Sequence, residues 1–219
     1  MSTPAPELAV QWLGRVEYAE TLALQHRLVD ERIAGLRPDT LLLLEHEPVF
    51  TLGRQRTSAS NVLDSGDTPV VQVERGGDVT WHGPGQLVGY PIVQLDEQRG
   101  ERDVHKVLRQ LEEAVIEALA TCAVVGERKP RYTGVWCGGK KLVSLGVAVR
   151  SWVTYHGFAI NVNPELQWFT RINPCGLESG VMGSIETAGG TVPDGDRFRR
   201  DVAQAVATAM GRRLVTGAD

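Results

Sequence analysis

The sequence predicts an α+β fold, α/β only in the loose sense, with mixed, largely antiparallel sheets flanked by helices. Three observations lead there. Two long stretches repeat apolar residues at the helical period, and several short runs rich in β-branched residues lie between glycines and prolines. These helices and hairpins interleave without the regular βαβ period of a parallel sheet. At 219 residues the chain is long enough to bury a sizeable core, and no linker or internal repeat divides it. Residues 1–219 therefore read as one domain, with residues 1–6 as a flexible tail.

Taken in order, "ELAVQWL" suggests a first strand. Residues 16–35 then place Val16, Ala19, Leu22, Ala23, Leu28 and Ile33 on one helical face, closed by Gly35 as a C-cap. "DTLLLLEHEPVFTLG" is an apolar run broken by Pro48, which predicts two strands, the first of them buried. "TPVVQVERGG" is a strand stopped by Gly76 and Gly77, and "QLVGYPIVQL" is another. Residues 103–122 make the clearest helix, with Asp103 as N-cap and a stripe of Val104, Val107, Leu108, Leu111, Val115, Ala118, Leu119 and Cys122. From Gly134 to Asn163 the chain alternates and turns at Gly138-Gly139 and near Arg150-Ser151, as a meander of three antiparallel strands would. A short helix over 164–170 follows. "DGDRFRRDVAQAVATAMGRRL" reads as a closing amphipathic helix, with Phe198, Val202, Ala205, Val206 and Ala209 inward.

Composition narrows the function classes. A formal net charge of -4, without clustered lysine and arginine, argues against a nucleic-acid binder. The N-terminus lacks a signal peptide, and no apolar stretch is long enough to span a bilayer, so the expected setting is the cytoplasm, with no membrane partner. Cysteine occurs three times, at 122, 137 and 175, without CxxC or HxxxH spacing, which speaks against a disulfide framework and a metal site.

Four segments hold residues suited to chemistry. "ERGGDVTWHGPGQLVGYP" crowds glycines around His82, so backbone N–H groups can approach a ligand, and Trp81 and Tyr90 could wall an apolar pocket; a hairpin with an awkward turn uses the same residues. The segment is neither GxGxxG nor GxxxxGK[ST]. In "GGKKLVSLGV", Lys141 shares its strand parity with Val143, Leu145 and Val147, so Lys141 is the inward lysine and Lys140 the solvated one. A buried lysine has a lowered pKa and can act as a base. His156 in "TYHGFAINVN" reads most simply as a satisfied strand-end histidine. Cys175 in "RINPCGLESG" lies on no apolar stripe, unlike Cys122, and is open between inert thiol and nucleophile. A lysine ammonium close by would favour the thiolate, which attacks carbonyl carbon well. Cys137, in the turn-facing "VWCGG", is the weaker candidate.

Together and in this order, "RGGDVTWHGPGQLVGYP", "GKKLVSLGV", "HGFAINVN" and "INPCGLE" resemble the lipoyl(octanoyl) transferases, over about residues 40–186. The resemblance implies a single catalytic domain of the biotin/lipoate protein ligase fold. It implies transfer of an octanoyl group from octanoyl-acyl carrier protein to a lysine of lipoyl domains, in 2-oxoacid dehydrogenase E2 subunits and the glycine cleavage H protein. Carried over by position, the catalytic pair falls on Cys175, which would hold the acyl group as a thioester, and on Lys141. Substrate binding falls on Arg75, Gly76, Gly77, Asp78, Val79, Thr80, Trp81 and His82, on Ser144, Leu145 and Gly146, and on Gly157, Phe158 and Ala159. Trp81, Tyr90, Leu145 and Phe158 are expected to wall the acyl pocket. No metal or cofactor is implied, and a monomer is expected. Where the family pattern has Thr-Ser, this chain has Gly183-Ser184. The rival readings are an ATP-dependent lipoate or biotin ligase of the same fold, and a non-catalytic module that binds acyl chains or carrier proteins.

Overall fold

The computed structural model describes residues 4–173 and 179–216. Its frame is an eight-stranded mixed sheet in the order β11-β1-β2-β6-β10-β9-β8-β7. Those strands are β1 (Glu7–Val16), β2 (Asp39–His46), β6 (Gln86–Ile92), β7 (Glu127–Lys129), β8 (Tyr132–Cys137), β9 (Lys140–Arg150), β10 (Val153–Asn161) and β11 (Arg213–Thr216). A smaller sheet, ordered β4-β3-β5, joins β3 (Val49–Leu52), β4 (Val70–Gln72) and β5 (Thr80–His82). β1 is parallel to both β2 and β11, and the pairs from β2 through β7 are antiparallel.

The run Leu41–Leu44 explains how helices cover the large sheet. Successive strand residues face opposite sides. Leu41 and Leu43 join a core with α2 (Val104–Ala120) and α3 (Gly195–Ala209), whereas Leu42 and Leu44 pack with Leu28 and Val29 of α1 (Tyr18–Ile33). An unbroken apolar run is what a strand buried on both faces requires. Helix α2 starts where Asp103 caps it, its carboxylate accepting from the backbone N–H of His105 and Lys106. Cys122, just past that helix, is buried in the same core, which pushes its thiol pKa up.

Three strands escape the sequence reading. β5 and β7 are three residues each, too short to show alternation. The expected closing helix stops at Ala209; Gly211 turns the chain at φ +64, and Arg213–Thr216 becomes β11, parallel to β1. A buried ion network secures that corner: Arg212 Nε donates to Asp39 Oδ2 at 2.7 Å, and Arg32 Nε to Asp39 Oδ1 at 2.7 Å. Among the described residues, no helix is long and apolar enough to cross a membrane.

Candidate functional site

The glycines of the sequence segments bring the site together. Gly146 and Gly157 face each other across β9 and β10. A Cβ on Gly146 would stand 2.7 Å from the Gly76 carbonyl, so the bare strand lets residues 75–77 lie against it, and the Gly76 N–H donates to the Val147 carbonyl at 3.0 Å. Gly89 is bare for a different reason: Phe158, its register partner, lays its ring where that Cβ would be, 2.2 Å from Cζ.

Around these contacts opens a cavity of about 520 Å³. Of the residues expected to bind substrate, Arg75, Gly76, Gly77, Asp78, Val79, Thr80 and His82 line it from the first segment. Ser144, Leu145 and Gly146 line it from β9, and Gly157, Phe158 and Ala159 from β10. Trp81 does not. Thr80 and His82 face the cavity, so on an extended strand the residue between them faces away. The Trp81 ring stacks instead on Trp168, with centroids 5.7 Å apart, in the core of the small sheet with Phe50 and Phe169. Tyr90, Leu145 and Phe158, the other expected walls, do line the cavity.

Lys141 lines the same cavity, partly buried, while Lys140 beside it is exposed and donates from Nζ to the Gly180 carbonyl at 2.6 Å. Lys141 Nζ lies 6.0 Å from the centre of the Trp136 ring. Its backbone pairs with Met182 in a parallel bridge, and the Gly183 N–H donates to the Lys141 carbonyl at 3.0 Å. Gly183 suits that close approach, since a Cβ there would lie 2.8 Å from the Cβ of Lys140. Cys175 lies outside the described residues. On its N-terminal side, Ile172 pairs with Val62, and the Asn173 N–H donates to the Asn61 carbonyl at 2.8 Å. Cys137 sits partly buried at the turn-facing end of β8.

Arg75 acts within the loop as well as on the cavity wall. Its guanidinium donates to the carbonyls of Asp78 (2.8 Å) and Thr51 (3.0 Å) and to Thr51 Oγ1 (2.9 Å). Asp78 in turn accepts from the Val79 N–H at 2.7 Å and from Asn61 Nδ2 at 2.6 Å. These bonds shape the 75–79 turn.

One side of the cavity is polar and aromatic. Tyr18, His82, Tyr90 and His156 line it, and His46 packs behind them, its Nε2 2.8 Å from the Tyr90 hydroxyl. Burial pushes His46 and His156 down to about 4 and holds His82 well below the ordinary histidine range. It raises Tyr18 to about 12. These groups are neutral at pH 7. His156 is not a satisfied strand-end residue: it lies within β10, 1% exposed, at φ +54, and neither ring nitrogen has a hydrogen-bond partner among the described residues. Its Nε2 is 3.6 Å from Glu74. Tyr18 and His46 carry no sequence signal, since a tyrosine opening a helix and a histidine ending a strand are ordinary. Among the described residues, no group of three or more His, Cys, Asp or Glu side chains gathers as metal ligands would.

Comparison with known proteins bears on the family and the fold. The family model described as "Lipoyl protein ligase A/B catalytic domain" matches residues 17–207. An octanoyltransferase of Geobacter metallireducens is 49% identical over 208 residues, covering 94% of this chain and 95% of that protein. Among solved structures, a lipoate-protein ligase A bound with ATP superposes with a TM-score of 0.72 at 14% identity, covering 98% of this chain and 90% of the other. A biotin protein ligase from Aquifex aeolicus superposes with a TM-score of 0.53 at 16% identity, covering 92% and 68%. Likeness at such identities extends to the fold alone.

Proposed function

The chain belongs to the lipoyl protein ligase A/B catalytic-domain family and is an acyltransferase that moves octanoyl groups in protein lipoylation; we propose that it does so through a thioester on Cys175, with Lys141 as its proton partner. The observation that carries this reading is that Lys141 lines the cavity while its backbone holds Met182 and Gly183, a few residues beyond Cys175 in sequence.

In the first half-reaction the Cys175 thiol gives its proton to Lys141, and the thiolate attacks the octanoyl thioester carbonyl. Backbone N–H groups of the glycine-rich segments suit the oxyanion that forms. The donor's thiolate leaves and takes the proton back from Lys141. In the second half-reaction the acceptor lysine's neutral amine attacks the new thioester, Lys141 takes the amine proton, and Cys175 leaves as a thiolate and recovers it. Bonds and protons balance without ATP, because an amide is more stable than a thioester.

Leu145, Phe158 and Ala159 offer apolar surface to the acyl chain, whose burial contributes about 0.8 kcal/mol per CH₂. Octanoyl-acyl carrier protein is the donor. Lipoyl domains of 2-oxoacid dehydrogenase E2 subunits and the glycine cleavage H protein are the acceptors. The enzyme works as a monomer in the cytoplasm.

Incubation with a lipoyl domain tests this reading. Octanoyl-carrier protein without ATP yields the octanoylated domain, and free octanoate with ATP yields none. The opposite pattern would assign the chain to ATP-dependent ligation.

A further inference from the structure

A chain of hydrogen bonds crosses the interior from the substrate loop to the segment that follows Cys175. Arg75 Nη2 donates to Thr51 Oγ1 at 2.9 Å, and that hydroxyl lies 3.4 Å from His82 Nε2. His82 Nδ1 is 2.7 Å from Gln86 Oε1. Gln86 Nε2 donates to Asn161 Oδ1 at 2.9 Å, and Asn161 Nδ2 donates to the Gly183 carbonyl at 2.9 Å.

The two ends decide the direction. A guanidinium only donates and a backbone carbonyl only accepts, so each group between them accepts from the Arg75 side and donates toward Gly183. His82 fits this sequence as the Nδ1–H tautomer, because Gln86 Oε1 can only accept and so takes the Nδ1 proton; burial keeps the ring neutral, which leaves Nε2 to accept from the Thr51 hydroxyl. Thr51, His82, Gln86 and Asn161 are all buried, so a reversed or missing bond would strand polar atoms away from water.

Gly183 is held at both backbone groups: its carbonyl by Asn161, its N–H by the Lys141 carbonyl. Asn161 is tied once more to this segment through its own carbonyl, which accepts from the Ile185 N–H at 2.9 Å. We propose that Asn161, oriented by Gln86, is a positioning residue for acyl transfer: it sets the segment that follows Cys175 in register with Lys141 and couples that register to the Arg75 loop. The proposal rests on Cys175 as the acyl carrier. It gives the polar residues within β6 and β10 a task that strand formation alone does not require.

Two near-isosteric variants reverse single links. Asn161→Asp replaces the donor aimed at Gly183 with an acceptor. Gln86→Glu keeps the acceptor for His82 but removes the donor to Asn161, so Asn161 turns its amide to the new carboxylate and its oxygen to the Gly183 carbonyl. Gln86→Met removes the donor without adding charge, should either acidic variant fail to fold. Acylation of Cys175 by octanoyl-carrier protein is followed in a single turnover by mass spectrometry, together with the pH midpoint for alkylation of Cys175. The expected result is a rate roughly 100-fold lower at saturating donor, a half-saturating donor concentration within about threefold of wild type, and a raised alkylation midpoint. A rate within about threefold of wild type, or a loss that tracks the unfolded fraction with the midpoint unmoved, would overturn the role of Asn161. Active wild-type enzyme that never acquires octanoyl on Cys175 overturns the thioester reading and this proposal with it; a wild-type adduct beside unchanged variants overturns this proposal alone.

Discussion

The Lys141 side chain, on β9 opposite Trp136, lies against Gly134 of β8: a Cβ at residue 134 would stand 2.6 Å from Lys141 Cε and 3.4 Å from its Nζ. The glycine leaves room for the lysine stem, and its N–H is held by the buried Glu112 carboxylate at 3.1 Å. Gly134→Ala is therefore expected to displace the Lys141 ammonium, and at φ +140 to cost about 1–3 kcal/mol of stability as well. The measurement is the pH profile of Cys175 alkylation, which should shift upward in Gly134→Ala and in Lys141→Ala. Unchanged profiles in both would remove Lys141 from thiol activation.

Phe158 reaches the cavity because Gly89 leaves space beneath its ring. A smaller residue there lengthens the space open to an acyl chain. Phe158→Leu should raise the rate ratio of decanoyl to octanoyl donor by about tenfold, the worth of two buried methylenes. Competition between the two donors measures it, and an unchanged ratio would place the chain terminus elsewhere.

Acid should weaken the fold through its buried histidines. The folded-state pKa of His46 is depressed to about 4, from 6.5. Between those values the unfolded chain binds the proton and the folded chain does not, so stability falls as pH drops through that window and the full penalty is reached below pH 4. For His46 this amounts to about 3 kcal/mol; His156, depressed to about 4, acts in the same direction. Denaturant titrations at pH 7 and pH 4.5 should show the loss, and His46→Gln should reduce it. Equal pH dependence in the variant would contradict the assignment.

Asp39 joins β2 to the corner before β11, accepting from Arg32, Arg212 and the Gln94 N–H while only 1% exposed. Asp39→Ala leaves the Arg212 guanidinium buried without this partner and is expected to cost roughly 3–5 kcal/mol. Thermal unfolding measures the loss. Below the transition, octanoyl transfer should persist, since Asp39 does not line the cavity.

What could be read from the residues divides along physical lines. The Val107–Leu119 stripe and the Leu41–Leu44 run betray their elements because periodicity reports burial. β11 hides because its partner β1 lies at the other end of the chain and "MGRRLV" continues a helical pattern up to Gly211. At the site, the glycine-bounded segments meet at one cavity, and Lys141 lines it, although the β8–β9 register shifts there and both Leu142 and Val143 are buried, so simple alternation does not describe this end of β9. Trp81 departs from expectation because its neighbourhood to His82 in sequence is undone by alternation along β5. Tyr18, His46 and the Gln86–Asn161 bond are products of tertiary packing, with no local pattern to disclose them.

The thioester is the centre of the account, and intact-mass analysis tests it most directly. Enzyme mixed with octanoyl-carrier protein, without ATP and without acceptor, should gain one octanoyl group, mapped to Cys175, and Cys175→Ala should gain none. Active wild-type enzyme without that adduct, or an adduct that survives in Cys175→Ala, would contradict it.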